Sequence, residues 1–180
     1  MLKTNALLRV AAPALLLLAA VALPPVGAQV AVGATPAVGI YTGATGFEGA
    51  VHVDWEPPFL SETIPGLLLS GIAGVSTVST ENEDGQDVST VGFLIAAGLH
   101  YEIVMARIEL RPGVYGGVQL SSFNGIEAEN QIAALISPHG EVAYPVFPNI
   151  TAGVYVASKL LFYESLEASV TVGPRIRYTF

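Results

Sequence analysis

Cysteine is missing from all 180 residues. That excludes a disulfide framework, and it excludes a lipid-modified cysteine at a processed N-terminus. Charge is scarce as well: Asp, Glu, Lys and Arg make up 12% of the chain, about half the roughly one-quarter usual for soluble domains. Positive charge is the scarcest. Beyond residue 28 the only basic residues are Arg107, Arg111, Lys159, Arg175 and Arg177, against all fifteen acidic ones. Nucleic-acid binding is excluded on this ground, because it depends on cations that neutralise phosphates. No uninterrupted apolar run of helix length follows Ala28, which argues against a helical membrane protein. A hydrophobic content of 52% argues equally against a disordered acidic tail.

What is present begins with residues 1–28. Lys3 and Arg9 precede an apolar core over residues 10–23, and Pro24 and Pro25 then break it. Val26 and Ala28 supply small residues at the minus-three and minus-one positions. This is the pattern of a signal peptide cleaved after Ala28 on export through the Sec pathway. The alternative, a transmembrane anchor, needs about 20 apolar residues, more than this core has. The expected domains are therefore a signal peptide over 1–28 and one folded unit over 29–180.

That unit reads as eight strands. The last stretch, "LEASVTVGPRIRYTF", puts Leu166, Ala168, Val170, Val172, Pro174, Ile176, Tyr178 and Phe180 on one side, and Glu167, Arg175 and Arg177 on the other. A period of two is a strand. Similar alternation covers residues 29–42, where Val30, Val32, Val38 and Ile40 share a face, and residues 47–56, where Phe47, Val51, Val53 and Trp55 oppose Glu48, His52, Asp54 and Glu56. It also covers residues 90–101, 104–121, 132–144 and 150–160. In the stretch from Val104, the aliphatics Val104, Ala106, Ile108 and Leu110 alternate with Arg107, Glu109 and Arg111. The third strand, "GLLLSGIAGVSTVST", is ambiguous: Leu67 and Leu69 suggest one face, Leu68 and Ile72 the other, and a bulge would shift the parity. Turns are expected at "TGATG", "EPPFLSETIP", "ENEDGQD", "SFNGIEAEN", "YPVFP" and "LFYES".

A soluble barrel would turn its charged faces to water, yet Gly and Ala fill much of the polar parity here, which suits a crowded interior. The inverse arrangement is expected, with apolar residues outward in lipid and polar residues inward. Only helices and closed barrels satisfy every backbone group in hydrocarbon, and strands of about 9–11 residues suffice to cross it. The aromatics Tyr41, Trp55, Tyr101, Phe123, Tyr144, Phe162, Tyr163, Tyr178 and Phe180 fall mostly near strand ends, where interfacial girdles lie. The expected fold is all-β: an eight-stranded antiparallel transmembrane β-barrel with a polar lumen.

The leader, the eight amphipathic strands and the terminal "GPRIRYTF" resemble the small outer-membrane β-barrels of the OmpA/OmpX type. The resemblance implies an outer-membrane location in a Gram-negative-type envelope and both termini in the periplasm. It implies too that Ile176, Tyr178 and Phe180 form the signal read by the barrel-assembly machinery. Membrane lipid and that machinery are the expected partners, and a monomer the expected state.

The inward parity collects Glu48, His52, Asp54, Glu56, Arg107, Glu109, Arg111, Lys159, Glu167, Arg175 and Arg177. Lumen charges must be paired or hydrated, so a connected ion network is expected from Glu48, Asp54, Arg107, Glu109, Arg111, Lys159, Arg175 and Arg177. Its role is structural, or it gates weak passage of small ions. Two other functions compete: a lipid-modifying outer-membrane enzyme and a soluble periplasmic barrel binding an apolar ligand. For the enzyme, "SPHGE" brings Ser137, His139 and Glu141 together, with His52 and His100 as further histidines. The deacylase pattern of histidine followed two residues later by serine is absent, so no catalytic residue, metal or cofactor is assigned. The acidic run Glu81, Glu83, Asp84 and Asp87 lacks calcium-loop spacing and reads as a solvated turn. Deleting Phe180, or residues 178–180, is expected to lower recovery of heat-modifiable protein from the outer membrane. Normal insertion of the truncated chain would remove the signal role from these residues.

Overall fold

The computed structural model describes residues 29–41, 44–81, 87–124, 130–163 and 166–180. The leader over 1–28 lies outside the described residues, as do Glu83 and Asp84 of the acidic run. The elements are β1 (Gln29–Tyr41), β2 (Ala44–Glu56), the one-turn helix α1 (Pro58–Ser61), β3 (Leu67–Glu81), β4 (Asp87–Tyr101), the short β5 (Ile103–Met105), β6 (Ile108–Asn124), β7 (Asn130–Phe147), β8 (Ile150–Phe162) and β9 (Leu166–Thr179).

Each long strand pairs antiparallel with its successor, β4 pairs directly with β6, and β9 returns to pair with β1. The sheet is thus a closed barrel of eight long strands, with β5 a small hairpin extension of β6. Closure leaves no free sheet edge, which hydrocarbon demands. The long strands have 13 to 18 residues, beyond the roughly 9–11 that suffice to cross lipid.

The faces divide as the alternation predicts. Ile132 is 71% exposed and Ile176 57%, whereas His52 is 0% and Arg177 1% exposed. Apolar side chains point out and charged ones in, the reverse of a soluble protein.

One point the sequence left open is decided here, and two details differ from the expectation. The third strand has no bulge. Its register is continuous with β2 from Trp55↔Leu69 to Thr45↔Ser79 and with β4 from Leu67↔Tyr101 to Glu81↔Asp87. Leu68 and Ile72 point inward because the lumen is not polar throughout: Ile72, Leu94, Ala96, Tyr115, Ala133, Leu135 and Leu161 form an internal apolar cluster. The strand read as continuous from Val104 is instead a hairpin, in which Met105 faces Ile108 across a turn at Ala106 and Arg107. "YPVFP" is mostly strand: β7 runs to Phe147, with a register shift between Pro145 and Phe147.

Three connections, β2 to β3, β4 to β6 and β7 to β8, lie at the end of the barrel that carries Gln29 and Phe180. In α1, the Pro57 carbonyl accepts from Leu60 N at 2.9 Å and Ser61 N at 3.0 Å. Gly66 then turns with φ +83°, and its carbonyl accepts from Glu102 N at 2.7 Å. A Cβ on Gly66 would come within 2.8 Å of the Glu102 carbonyl oxygen. Ala106 adopts φ 58°, where a side chain is disfavoured. Gly66→Ala is expected to cost about 1–3 kcal/mol, and Ala106→Gly to gain up to about 1 kcal/mol. Urea midpoints of the refolded barrel in detergent would read both, and shifts of the opposite signs would refute the assignment.

Candidate functional site: an ion layer across the lumen

Residues two apart on a strand share a face, so the inward parity of each strand delivers its polar side chains to one compartment. From β9 come Arg175 and Arg177, from β2 His52 and Asp54, from β6 Glu109 and Arg111, and from β7 His139 and Glu141. Arg177 donates through Nη2 to Glu109 Oε2 at 2.5 Å and through Nη1 to Glu141 Oε1 at 3.3 Å. Arg175 donates through Nε to His52 Nε2 at 2.7 Å, and the same Nε lies 3.4 Å from Glu141 Oε2. Its Nη2 is 3.6 Å from Asp54 Oδ2, and its guanidinium sits 5.2 Å from the ring centre of Tyr155.

Arg111 donates through Nη2 to Glu102, lies 3.2 Å from Glu109 Oε2, and places Nη1 3.7 Å from Asp54 Oδ2. Asp54 Oδ1 accepts from Ser70 Oγ at 2.6 Å, and Ser70 Oγ is 3.1 Å from Tyr115 Oη. Three buried guanidinium groups are thereby matched with four carboxylates in one layer, Asp54 and Glu141 buried and Glu102 and Glu109 partly exposed. Burying a charge is costly unless it is paired, so the layer stands or falls as a unit.

Glycines make the space. A Cβ on Gly33 would lie 2.1 Å from His52 Nε2, and one on Gly113 would lie 2.5 Å from His100 Cβ and 2.7 Å from His139 Cε1. The His139 ring stacks on Tyr115 with centroids 4.3 Å apart.

A second, separate cluster lies further along the barrel. Glu48 Oε2 accepts from Lys159 Nζ at 2.5 Å and Thr171 Oγ1 at 2.9 Å, and Oε1 accepts from Tyr41 Oη at 2.6 Å. Tyr41 and Tyr163, expected in the lipid girdle, turn their hydroxyls to inward partners, Glu48 and Ser121. The side chain of Phe123 is outside the described residues.

Two cavities flank the ion layer. One of about 150 Å³ is lined by Asp54, Glu102, Glu109, Arg111 and Arg177 at the end carrying Gln29 and Phe180. The other, of about 30 Å³, is lined by Thr35, Glu48, Tyr115, Tyr155, Lys159 and Arg175. It has room for about one water. Between them stands the Asp54, Arg175 and Tyr115 assembly.

The expected network is therefore two clusters. Asp54, Glu109, Arg111, Arg175 and Arg177 join in one, Glu48 and Lys159 in the other. Arg107 belongs to neither: it is exposed in the β5–β6 turn, 3.5 Å from Tyr144 Oη, because the hairpin takes it out of strand alternation. Glu56 is half-buried with no ion pair among the described residues, and Glu167 is exposed. The expected network left out Glu141 and Glu102. Strand parity already turned Glu141 inward, opposite Val142 and Tyr144, whereas Glu102 sits in a connection where alternation says nothing.

No protein-family model matches the chain, and no curated protein matches it. Solved structures do. Neisserial surface protein A matches with a TM-score of 0.61 at 15% identity, covering 86% of this chain and 97% of that one. A major outer membrane protein from Thermus thermophilus matches with a TM-score of 0.55 at 15% identity, over 86% and 100%. Ail, the attachment invasion locus protein of Yersinia pestis, matches with a TM-score of 0.54 at 11% identity, over 85% and 97%. This chain has the fold of a small outer-membrane β-barrel.

Within that barrel, Ser137, His139 and Glu141 all point inward from one strand. Neither ring nitrogen of His139 has a hydrogen-bond partner among the described residues, so His139 does not engage Ser137 as a base engages a nucleophile. Among the described residues no three His, Asp or Glu side chains are grouped to hold a metal ion. Glu141→Ala strips Arg175 and Arg177 of a shared carboxylate and is expected to cost about 3–5 kcal/mol. Arg107→Ala is expected to stay within about 0.5 kcal/mol of the parent. Denaturant titration of the refolded barrel separates them, and equal losses would place Arg107 back in the network.

Proposed function

We propose that this protein is an integral outer-membrane barrel with a structural role, sealed across its lumen by the ion layer. The observation that carries this reading is the Asp54, Arg111 and Arg175 contact set standing between the two cavities. An eight-stranded barrel has an interior that side chains can fill, and here charged groups from four strands fill it. The outward apolar belt supports lipid as the surrounding medium. Ile176, Tyr178 and Phe180 are exposed on that outer side, Tyr178 and Phe180 meeting edge to face at 5.0 Å, which suits a role in recognition by the assembly machinery.

A second reading, gated passage of small ions, is favoured by the looseness of the Asp54 contacts. Oδ2 makes no hydrogen bond and sits 3.6–3.7 Å from the two guanidinium groups, so the pairs can exchange partners.

Adhesion has less support. The Ail structure was solved with a heparin analogue, sucrose octasulfate. Here four of the five cations beyond residue 28 are inward, Arg111, Lys159, Arg175 and Arg177 all being buried, and the exposed one, Arg107, lies at the end that carries Gln29 and Phe180. The connections at the end opposite Gln29 and Phe180 are two, five, five and three residues long.

Planar-bilayer recording tests the sealed lumen. The parent barrel is expected to be silent, and Arg175→Ala, which removes the group between the cavities, is expected to give discrete current steps. Steps from the parent would favour the gated pore. Silence from both would leave a barrel whose seal does not depend on Arg175.

A further inference from the structure

The ladder between β1 and β9 is interrupted in its middle. It runs from Ala31↔Thr179 to Ala34↔Ile176, stops, and resumes from Val38↔Val172 to Tyr41↔Ser169. That register sets Pro36 opposite Pro174. Neither proline has an N–H, so two ladder hydrogen bonds are missing at one place.

The missing bonds belong to this seam and not to the ladders on either side of it. Pairing of Pro36 with Gly49 on β2 and of Pro174 with Val154 on β8 is uninterrupted. The ring nitrogens therefore face each other, and so do the amides of Ala34, Val38, Val172 and Ile176 in the same rows. The strands still touch: a Cβ on Gly173 would lie 2.2 Å from the Pro36 carbonyl oxygen. Elsewhere prolines meet ladder irregularities singly: Pro138 falls in the gap between Ile136↔Leu160 and His139↔Ala157, and Pro145 stands at the register shift before Phe147. Among the described residues, only at the seam do two oppose each other.

Before the barrel closes, β1 and β9 are the edges of an open sheet. Edge strands carry proline with the bare nitrogen on the free side, which keeps foreign strands from pairing there. Pro36 and Pro174 have that placement on both edges. We infer that the β1–β9 seam is the joint at which the closed barrel opens first, and that the lumen ion layer rather than the seam ladder locks it.

The lock follows from where the β9 arginines reach. Arg175 contacts His52 and Asp54 on β2 and Glu141 on β7; Arg177 contacts Glu109 on β6 and Glu141 on β7. Beyond the ring of Tyr155 on β8, over which the Arg175 guanidinium sits, the ion contacts of both arginines go to strands that β9 does not pair with. Opening the seam by moving β9 must therefore break buried ion contacts to three other strands. This holds whether or not the lumen conducts.

Hydrogen–deuterium exchange followed by NMR on the signal-cleaved barrel in lipid nanodiscs is the test. In the parent protein the amides of Ala34, Val38, Val172 and Ile176 are expected to exchange roughly tenfold or more faster than those of Val51 and Ala73 in the β2–β3 ladder. Arg175→Gln should widen the difference. Pro36→Val with Pro174→Val should narrow it and increase intermolecular aggregates during refolding, since both edges regain donors. Equal protection of the seam and the β2–β3 ladder in the parent would overturn the inference without any variant. So would seam exchange that replacement of both prolines leaves unchanged.

Discussion

The pairing of Arg175 and Arg177 with carboxylates on other strands is the constraint that organises the interior. Two guanidinium groups carried into a membrane-spanning lumen by the last strand must find partners or stay hydrated, because an isolated buried charge is far more costly than any packing gain nearby. Glu109, Glu141 and Asp54 meet them from three other strands. The same contacts fill the cross-section, align β9 with strands it does not touch through its backbone, and stand between the cavity beside Glu109 and the one beside Lys159.

Room for that layer comes from the backbone opposite. His52 rests where Gly33 has no side chain, and His100 and His139 crowd around Gly113. The large polar groups and the glycines are parts of one packing solution in a barrel just wide enough for its side chains. Further along, the filling changes character to Ile72, Leu94, Leu135 and Leu161. Apolar residues can fill an interior without needing partners, and this lets aliphatic side chains that are not lipid-facing sit comfortably on the inner face.

Legibility followed the contrast between the two faces of each strand. In β9, Arg175 and Arg177 alternate with Ile176 and Tyr178, so face and direction were readable. In β2, Glu48, His52 and Asp54 alternate with Phe47, Val51 and Val53 as clearly. In β3 the contrast fails, because Leu68 and Ile72 line the apolar part of the lumen while Leu69 and Val75 take the outer side. Arg107 was misplaced since a two-residue turn can imitate alternation, and only pairing of Met105 with Ile108 reveals it. Glu102 lay in no periodic segment at all.

The sequence by itself determined an all-β chain with outward apolar and inward charged faces, since side-chain parity is a local property of extended backbone. It also determined which charges would have to be satisfied inside. Which charge meets which was decided only by closure, because Arg177 and Glu109 are 68 positions apart and their meeting depends on the register of every ladder between them. The opposition of Pro36 and Pro174 has the same origin: each proline is ordinary in its own strand, and they face each other only because the ring closes in that one register.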